Sequence, residues 1–255
     1  MARTTDAAID CSDLVIDRVG HGGPSRAVDG VTFSLPPGEL LCIAGPTGAG
    51  KSTLVAALSG QDDASVRVVG GTAQVCGVNV RRPGRRRRVL RALTGFVGQG
   101  AGAVLPPRLT AGELIGEPIT IRERKVNAKA LAIRVATLLD ELHLPLGTAD
   151  RFPYELSAGM RQRVAIARAL VMEPRVFIAD EPLANLDPEV RHVVFDAITR
   201  RRNERGMAAL LVTNDAAFIR ELDAATLMLR GGHVVARGVG KDLLWVPDAD
   251  AGSRR

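Results

Sequence analysis

The stretch that decides the fold reads Gly45-Pro46-Thr47-Gly48-Ala49-Gly50-Lys51-Ser52-Thr53. It matches the pattern G-x-x-x-x-G-K-[ST], in which glycines allow backbone N–H groups to approach phosphate oxygens closely. The apolar run 39–44 before it is typical of a buried strand, and the run 54–58 after it has helix-forming composition. A strand, a glycine loop and a helix in this order are the context that the motif requires. The stretch therefore predicts a site for a nucleoside triphosphate.

The residues of this loop have distinct expected roles. All of 45–53 forms the candidate nucleotide-binding segment, and the N-terminus of the following helix adds about half a unit of positive charge. Lys51 is expected to bridge the β- and γ-phosphates. The Ser52 hydroxyl is expected to complete the coordination shell of Mg²⁺.

Two acidic residues follow a second apolar strand. The run 176–179 is apolar, and Asp180 and Glu181 come directly after it. Asp180 at the strand tip is placed to hold the Mg²⁺ shell through water. The side chain of Glu181 should project differently, toward the γ-phosphate. A carboxylate there can polarise the attacking water, so Glu181 is the candidate general base.

Composition excludes several classes of protein. The chain has 255 residues, of which 46% are hydrophobic, but no run of about 18 apolar residues that would indicate a membrane span. Its N-terminus lacks the charged-then-apolar pattern of a signal peptide, so a secreted protein is not expected. The cysteines are odd in number and widely spaced, at Cys11, Cys42 and Cys76. They predict buried thiols in a reducing cytoplasm rather than a disulfide framework or a zinc site.

The net charge of +6 is concentrated in one run of arginines. The run consists of Arg81, Arg82, Arg85, Arg86, Arg87, Arg88 and Arg91. No aromatic residue is interleaved with it, and aromatic residues make up 3% of the chain, so a base-stacking surface for nucleic acid is not indicated. A solvated helix face is the favoured interpretation. Contact with lipid headgroups beneath a membrane partner is the alternative.

Strand-like and helix-like segments alternate along the chain. Residues 31–35, 175–180 and 208–213 have strand character. The short β-like runs 66–69 and 73–80 are separated by Gly70-Gly71, which predicts a hairpin. Between about 99 and 170 the character is helical, with one apolar stripe formed by Leu131, Val135, Leu138, Leu139 and Leu142.

These patterns predict an α/β fold. We expect a P-loop NTPase core with a parallel sheet, an antiparallel β subdomain and an inserted helical subdomain. The core lobe with its β subdomain is assigned to 1–98 and 172–246, and the helical subdomain to 99–171. Residues 247–255 are predicted to form a flexible tail.

A third motif points to a family. The segment Leu156-Ser157-Ala158-Gly159-Met160-Arg161-Gln162-Arg163 resembles the L-S-G-G-Q signature of the ATP-binding cassette (ABC) superfamily. With the loop at 45–53, Gln99, Asp180-Glu181 and the segment Ala184-Asn185-Leu186-Asp187 in the family's order, the resemblance covers nearly the whole chain. It implies that the nucleotide is ATP, bound with Mg²⁺.

The resemblance also implies roles for further residues. Ser157 and Gly159 would contact ATP held by a second ABC ATPase subunit, in a head-to-tail dimer with two ATPs between the protomers. Gln99 resembles the glutamine that touches Mg²⁺ and couples the core to the helical lobe. Asp187 resembles the aspartate that reaches across the dimer. A helix N-cap ahead of Pro188 explains Asp187 equally well, and it can serve both roles.

Finer features resemble the ATPase subunits of oligopeptide, dipeptide and nickel importers. They lie in 105–110, 116–118, 153–157, 160–164 and 178–182. The resemblance implies a peripheral subunit on the cytoplasmic face of the cell membrane that drives import through separate permease subunits. Its partner ATPase would be a different chain, an extracytoplasmic solute-binding protein would act indirectly, and nucleic acid would not be a partner.

Three alternatives to that function stay open at this point. One is an ABC exporter, since the permease sets the direction of transport. Another is a soluble ABC ATPase that acts on nucleic acid or ribosomes. The third is a regulatory subunit that binds ATP while its partner hydrolyses it.

The chain departs from the family pattern at two functional positions. It reads Thr213-Asn214-Asp215 where the family has Thr-His-Asp. Asn214 can hydrogen-bond a γ-phosphate but cannot carry its proton or a positive charge, so a competent but slow site is expected. Around His21 to Gly23 there is no aromatic residue of the kind that stacks on adenine in the family. Ala158 in place of the first signature glycine is a milder change.

Overall fold

The computed structural model describes residues 7–20, 23–81, 84–123, 125–184, 186–239 and 242–245. The strands are β1 (Ile9–Gly20), β2 (Gly23–Leu35), β3 (Leu40–Ala44), β4 (Val66–Val75), β5 (Val78–Asn79), β6 (Thr94–Val97), β7 (Val176–Asp180), β8 (Ala208–Val212), β9 (Ala225–Arg230), β10 (His233–Val239) and β11 (Asp242–Trp245). The helices are α1 (Lys51–Ser59), α2 (Arg85–Leu93), α3 (Ala111–Arg122), α4 (Ala128–Glu141), α5 (Ala158–Leu170), α6 (Pro188–Arg205) and α7 (Ala216–Glu221), and 3₁₀ turns cover Leu146–Asp150 and Pro153–Glu155. The predictions for His21 and for the tail 247–255 fall outside the described residues.

Two sheets organise these elements. The larger sheet has the strand order β11-β10-β9-β3-β8-β7-β6, and its strands from β9 to β6 pair in parallel. Strands β10 and β11 extend it with antiparallel pairing. The smaller sheet is antiparallel, in the order β2-β1-β4-β5. Every residue of β3, β7 and β8 is buried, as expected for parallel strands that are covered on both faces.

Each face of the larger sheet has its own hydrophobic core. Alternate residues of β3 divide between them, since Leu40 and Cys42 pack with α3 to α6. Leu41 and Ile43 pack instead with α1 and the antiparallel sheet. The apolar stripe of α4 joins the first core, where Val135, Leu138, Leu139 and Leu142 are buried and Leu131 is partly buried. This layering confirms the predicted fold class. The subdomain boundaries at 98/99 and 171/172 stay predictions.

The predicted hairpin at Gly70-Gly71 is wrong. Strand β4 continues through both glycines and stays paired with β1, whose register shifts between Ser12 and Val15 at this point. Gly71 has φ +63°, and a Cβ there would lie 2.0 Å from the Asp13 carbonyl oxygen. The irregularity is a β-bulge in β1, where Asp13 and Leu14 stand opposite Gly71, and Gly71 takes the left-handed backbone that a tight turn also needs. The turn comes later, at Cys76 and Gly77, which both have positive φ.

The arginine run contributes five residues to α2. Arg85, Arg86 and Arg88 are exposed, while Arg87 and Arg91 pair with Asp62 at 2.6 and 3.1 Å. This arrangement agrees with a solvated helix face, the favoured interpretation of the run.

The cysteines behave largely as predicted. Cys11 and Cys42 are fully buried, and burial raises the pKa of each thiol to about 12. Cys76 is partly buried, and its pKa is raised for the same reason. Two of the three thiols thus act as small buried hydrophobic groups.

A buried ion pair joins the end of α4 to α6. Arg201 of α6 donates two hydrogen bonds, of 2.6 and 2.7 Å, to the two carboxylate oxygens of Glu141 at the end of α4. The side chains are 13% and 8% exposed, respectively. A bidentate pair in this geometry is strong, and loss of one partner leaves a buried charge without compensation.

We therefore expect Glu141→Ala to lower the free energy of unfolding by about 3 kcal/mol, because it strands the Arg201 guanidinium. Urea denaturation followed by circular dichroism measures this loss. The control is Glu173→Ala, which removes a carboxylate that is 48% exposed and pairs with Arg134 and Arg205. It should cost about 1 kcal/mol or less. Equal losses for the two variants would contradict the assignment.

Candidate nucleotide-binding site

The glycine loop lies between β3 and α1, and its shape is dictated by its neighbours. Gly45, Gly48 and Gly50 all have φ between +81° and +142°. A Cβ on Gly50 would lie 2.1 Å from the Ala27 carbonyl oxygen, and a Cβ on Gly45 would lie 2.1 Å from the Leu229 carbonyl oxygen. Glycine is therefore required at both positions for the backbone conformation and for the close approach of neighbouring chain.

Two features of the loop fit it to bind phosphate. Lys51 is 7% exposed, and its ammonium group donates hydrogen bonds to the carbonyl oxygens of Gly45 (2.6 Å) and Pro46 (2.9 Å). The ammonium is thus held across the loop. Helix α1 begins after Gly50 without a side-chain cap, so among the described residues no capping side chain competes for the N–H groups of its first turn. Uncapped N–H groups beside a cation form a strong anion site.

Asp180 and Ser52 form a hydroxyl–carboxylate pair beside this loop. Asp180 ends β7, is 3% exposed and lies near Ser52. Burial raises the pKa of the Asp180 carboxyl, and the neighbouring Glu181 charge raises it further. The Ser52 hydroxyl and the Lys51 charge act in the opposite direction. A hard cation would relieve the burial of this charge, and hydroxyl and carboxylate oxygens are the ligands Mg²⁺ prefers. The donor set therefore fits Mg²⁺.

The order of the parallel strands brings four predicted site elements to one edge of the sheet. Strands β3, β8, β7 and β6 are neighbours in that order, and their carboxyl ends lead into the glycine loop, Asn214, Glu181 and Gln99. The Asn214 Oδ1 accepts a hydrogen bond from the Gly45 N–H at 3.1 Å. The Gln99 Nε2 donates to the Glu181 Oε2 at 3.4 Å. Ligands of open α/β sheets bind at this edge.

The backbone of Glu181 turns its side chain away from that of Asp180. Glu181 has φ +50°, in the left-handed region, and its N–H donates to the Val212 carbonyl oxygen at 2.9 Å. The left-handed conformation costs a non-glycine residue about 1–2 kcal/mol. It ends the strand at this residue and explains why Asp180 is buried while Glu181 reaches Gln99.

Ser157 and Gly159 lie at the start of α5. Ser157 is the N-cap, and its hydroxyl accepts a hydrogen bond from the Met160 N–H at 3.2 Å. The side chain is exposed. Within the described ranges, no hydrogen bond joins either residue to the glycine loop of the same chain. The signature therefore presents an exposed helix tip rather than a part of its own loop.

Asp187 occupies the N-cap position of α6, with Pro188 as the first helical residue. The predicted cap position is thus correct. Its side chain is exposed and makes no capping hydrogen bond, so its carboxylate is available for another contact. The neighbouring Asn185 lies outside the described residues.

Arg191 is a residue near the site that the sequence analysis missed. Its Nη1 donates to the Asp215 Oδ2 at 2.8 Å, and its Nε donates to the Leu186 carbonyl oxygen at 3.1 Å. It therefore ties the segment before Asp187 to the residue after Asn214. The acidic Asp215 in the Thr-Asn-Asp segment indicates that a basic partner is needed. Sequence spacing does not identify which arginine is that partner.

Comparison with known proteins decides the family. The family model described as ABC transporter matches residues 28–184. The chain belongs to the ABC transporter family. Its resemblance to ABC proteins is thereby confirmed, while the roles of individual site residues stay predictions.

Relatives within the ABC transporter family match most of this chain. It is 33% identical over 238 residues to the peptidoglycan transport ATP-binding protein YejF of Agrobacterium fabrum, covering 92% of this chain and 41% of that relative. It is 33% identical over 215 residues to the oligopeptide transport ATP-binding protein OppF of Escherichia coli, covering 84% of this chain and 63% of that relative. The chain thus spans less than two thirds of the length of these two relatives.

A solved ABC structure has the same fold. The match is to the dimeric structure of a post-hydrolysis state of the ATP-binding cassette MJ0796 bound to ADP and Pi, with a TM-score of 0.82 and 25% identity, over 92% of this chain and 99% of that chain. The structural similarity thus extends over nearly the full length of both chains.

Two glycines of the loop provide a matched pair of variants. Both Gly48 and Gly50 have positive φ, but a Cβ on Gly48 meets nothing within 4 Å. Gly48→Ala should therefore lower the free energy of unfolding by about 1 kcal/mol through backbone strain. Gly50→Ala should cost at least about 3 kcal/mol, because the chain at Ala27 must also move. Urea denaturation measures both, and equal losses would show that the contact with Ala27 does not constrain the loop.

Proposed function

We propose that this chain is the ATP-hydrolysing subunit of an ABC importer of the peptide type, which drives transport through separate membrane permease subunits. The observation that carries this proposal is the alignment of the glycine loop, Asn214, Glu181 and Gln99 along one sheet edge. The relatives support the cargo class. Besides OppF, a putative peptide import ATP-binding protein of Brucella abortus is 32% identical over 241 residues. These names favour a peptide over nickel.

ATP binding follows from the charges and donors of the loop. The N–H groups of the loop and of the first turn of α1 bind the phosphates. Lys51 exchanges its bonds to the Gly45 and Pro46 carbonyls for bonds to the β- and γ-phosphates, where its charge is better compensated. Ser52, Gln99 and, through water, Asp180 are the residues that would hold Mg²⁺. The ion, when bound, neutralises charge on the phosphate oxygens.

Hydrolysis follows from the two side chains that meet at 3.4 Å. Glu181 accepts a proton from the attacking water as general base. The Gln99 amide orients the same water and holds the Glu181 carboxylate in place. Asn214 directs its Oδ1 to the Gly45 N–H, so its amide NH₂ is free to donate to the γ-phosphate.

A head-to-tail dimer completes each site. The exposed tip of α5 presents Ser157 and the Gly159 N–H, and a helix N-terminus favours an anion. We propose that this tip contacts the ATP held by the partner subunit and that Asp187 reaches across the same interface. Support comes from the matching cassette structure, which is described as a dimer bound to ADP and Pi.

The membrane contacts of this subunit are made through other chains. Across the described residues, no helix is both long enough and apolar enough to cross a bilayer. We propose a peripheral position on the cytoplasmic face, bound to permease subunits, and the relatives named as transport ATP-binding proteins support it. A solute-binding protein outside the membrane would act on it indirectly, through the permeases.

The proposed general base is tested by Glu181→Gln in the assembled transporter. The variant keeps the shape of the side chain but cannot accept the proton, so ATP turnover should fall at least ~100-fold while ATP still binds. Lys51→Ala is the contrasting control, because it should weaken ATP binding itself. Turnover and nucleotide affinity are measured on the same preparations. Near-normal hydrolysis by the Glu181 variant would refute the role and, with it, the catalytic part of the proposal.

Asn214 leads to a prediction about asymmetry between the two sites. Asparagine offers the γ-phosphate a neutral donor, whereas histidine can offer a protonated one, and a gain of ~0.5–2 kcal/mol in that hydrogen bond corresponds to roughly three- to thirtyfold in rate. Because histidine is the stronger donor, Asn214→His should raise ATPase activity of the assembled complex by that factor with little change in ATP affinity. Site-resolved single-turnover measurements provide the check. Equal, fast hydrolysis at both sites with Asn214 present would exclude a slow site.

A further inference from the structure

The side-chain amide of Gln162 lies buried between two loops of the nucleotide site. Gln162 belongs to α5 and is 5% exposed. Its Oε1 accepts a hydrogen bond from the Gly102 N–H at 3.2 Å, and its Nε2 donates to the Pro182 carbonyl oxygen at 3.0 Å. The first partner follows Gln99 in the chain, and the second follows Glu181 directly. One amide therefore joins the helix to both segments that carry the proposed hydrolytic residues.

The chain at Gly102 packs too closely against α5 for the two to slide past each other. A Cβ on Gly102 would lie 2.7 Å from the Gln162 backbone nitrogen and 3.0 Å from the Arg161 carbonyl carbon. The segment after Gln99 thus rests directly on the backbone of α5. The two hydrogen bonds of the Gln162 side-chain amide are stronger than they would be in water, because they are buried. Loss of either partner leaves a buried polar group unsatisfied. A shift of this turn of α5 must move both loops or break both bonds.

The same helix begins at the exposed signature tip. Gln162 follows the N-cap Ser157 by five residues, or about 8 Å along a helix axis. No flexible segment intervenes, since α5 is continuous from Ala158 to Leu170. A displacement of the tip is therefore carried directly to Gln162.

We propose that Gln162 is a positioning residue that transmits occupancy of the partner's ATP site, sensed at Ser157, to Gln99 and Glu181 of its own site. The inference rests on the proposed function, because it requires Ser157 to contact ATP held by the partner. Gln162 touches no reacting atom. It sets the separation of the two loops, and so the geometry of the Gln99–Glu181 pair, according to the position of α5. The two ATP sites are thereby coupled in hydrolysis.

The test is the cooperativity of ATP hydrolysis in the assembled transporter. Gln162→Leu preserves the volume of the side chain and removes its hydrogen bonds to Gly102 and Pro182. Its Hill coefficient for ATP should fall to about 1 and its turnover about tenfold, the loss expected for a hydrogen bond made to a catalytic segment. ATP affinity of the isolated chain should change less than about threefold, because the glycine loop is untouched. Arg134→Gln is the control, since it removes a hydrogen bond to the Val171 carbonyl at the other end of α5 and should leave cooperativity unchanged.

A second variant separates hydrogen bonding from packing. In Gln162→Glu the ionised carboxylate can accept from the Gly102 N–H but cannot donate to the Pro182 carbonyl. The protonated form can do both. Turnover and Hill coefficient relative to wild type should therefore recover as pH falls from about 8 to about 6, since burial raises a carboxyl pKa. A wild-type Hill coefficient for Gln162→Glu at about pH 8, where the donor to the Pro182 carbonyl is lost, would overturn the role of Gln162 even if Gln162→Leu does not fold.

The outcomes distinguish this inference from the proposed function. A wild-type complex that does not hydrolyse ATP overturns the proposed function and this inference together. Non-cooperative hydrolysis by the wild type leaves the function standing and overturns the coupling. Cooperative wild-type hydrolysis that persists in Gln162→Leu overturns the role of Gln162 alone.

Discussion

The close packing of Gly50 against the Ala27 carbonyl joins the two sheets of this molecule at the glycine loop. Two backbone hydrogen bonds through Gly232 connect the same segments. The Gly232 N–H donates to the Ala49 carbonyl at 3.2 Å, and the Asp29 N–H donates to the Gly232 carbonyl at 2.9 Å. The loop is thus held between β2 on one side and the turn before β10 on the other. Its N–H groups are already fixed by protein contacts, which would lower the ordering cost of binding a phosphate group. The rest of the site depends on this fixed reference.

From that reference, the parallel sheet determines which residues can cooperate. Asn214 lies 169 positions after Gly45 in the chain, yet the neighbouring ends of β3 and β8 bring them into hydrogen-bond contact. The same rule brings together Gln99 and Glu181, which follow the paired strands β6 and β7. The two hydrophobic cores on opposite faces of the sheet keep these strand ends in register. The proposed chemistry therefore rests on ordinary packing of apolar strands, with Glu181 as the proposed catalytic residue that takes a left-handed backbone.

Much of this arrangement could be predicted from the sequence, and the misses have physical causes. Apolar runs and the glycine loop located the core strands and α1, because those patterns depend on local burial and backbone freedom. The hairpin at Gly70-Gly71 failed because positive φ serves a bulge as well as a turn. Gln162 belongs to the signature segment, but its contacts are not predictable there, since a glutamine in a helix gives no local sign that its amide is buried between two distant loops. Tertiary partners of this kind are set by strand order, which the sequence does not display.

The hydrogen bond between Gly45 and Asn214 helps to explain how asparagine can replace the histidine of the family. The residue at this position accepts a hydrogen bond from the Gly45 N–H, and in the proposed function it also faces the nucleotide. A neutral imidazole can accept with one ring nitrogen and donate with the other, but a protonated imidazole has no acceptor left. Asparagine meets both demands with its carbonyl and its NH₂, and it does so at every pH because it does not titrate. The substitution thus keeps the loop contact and the donor while it removes the option of positive charge. If the donor role proposed for Asn214 is right, the cost of the substitution falls on the strength of one hydrogen bond to the γ-phosphate rather than on the architecture of the site.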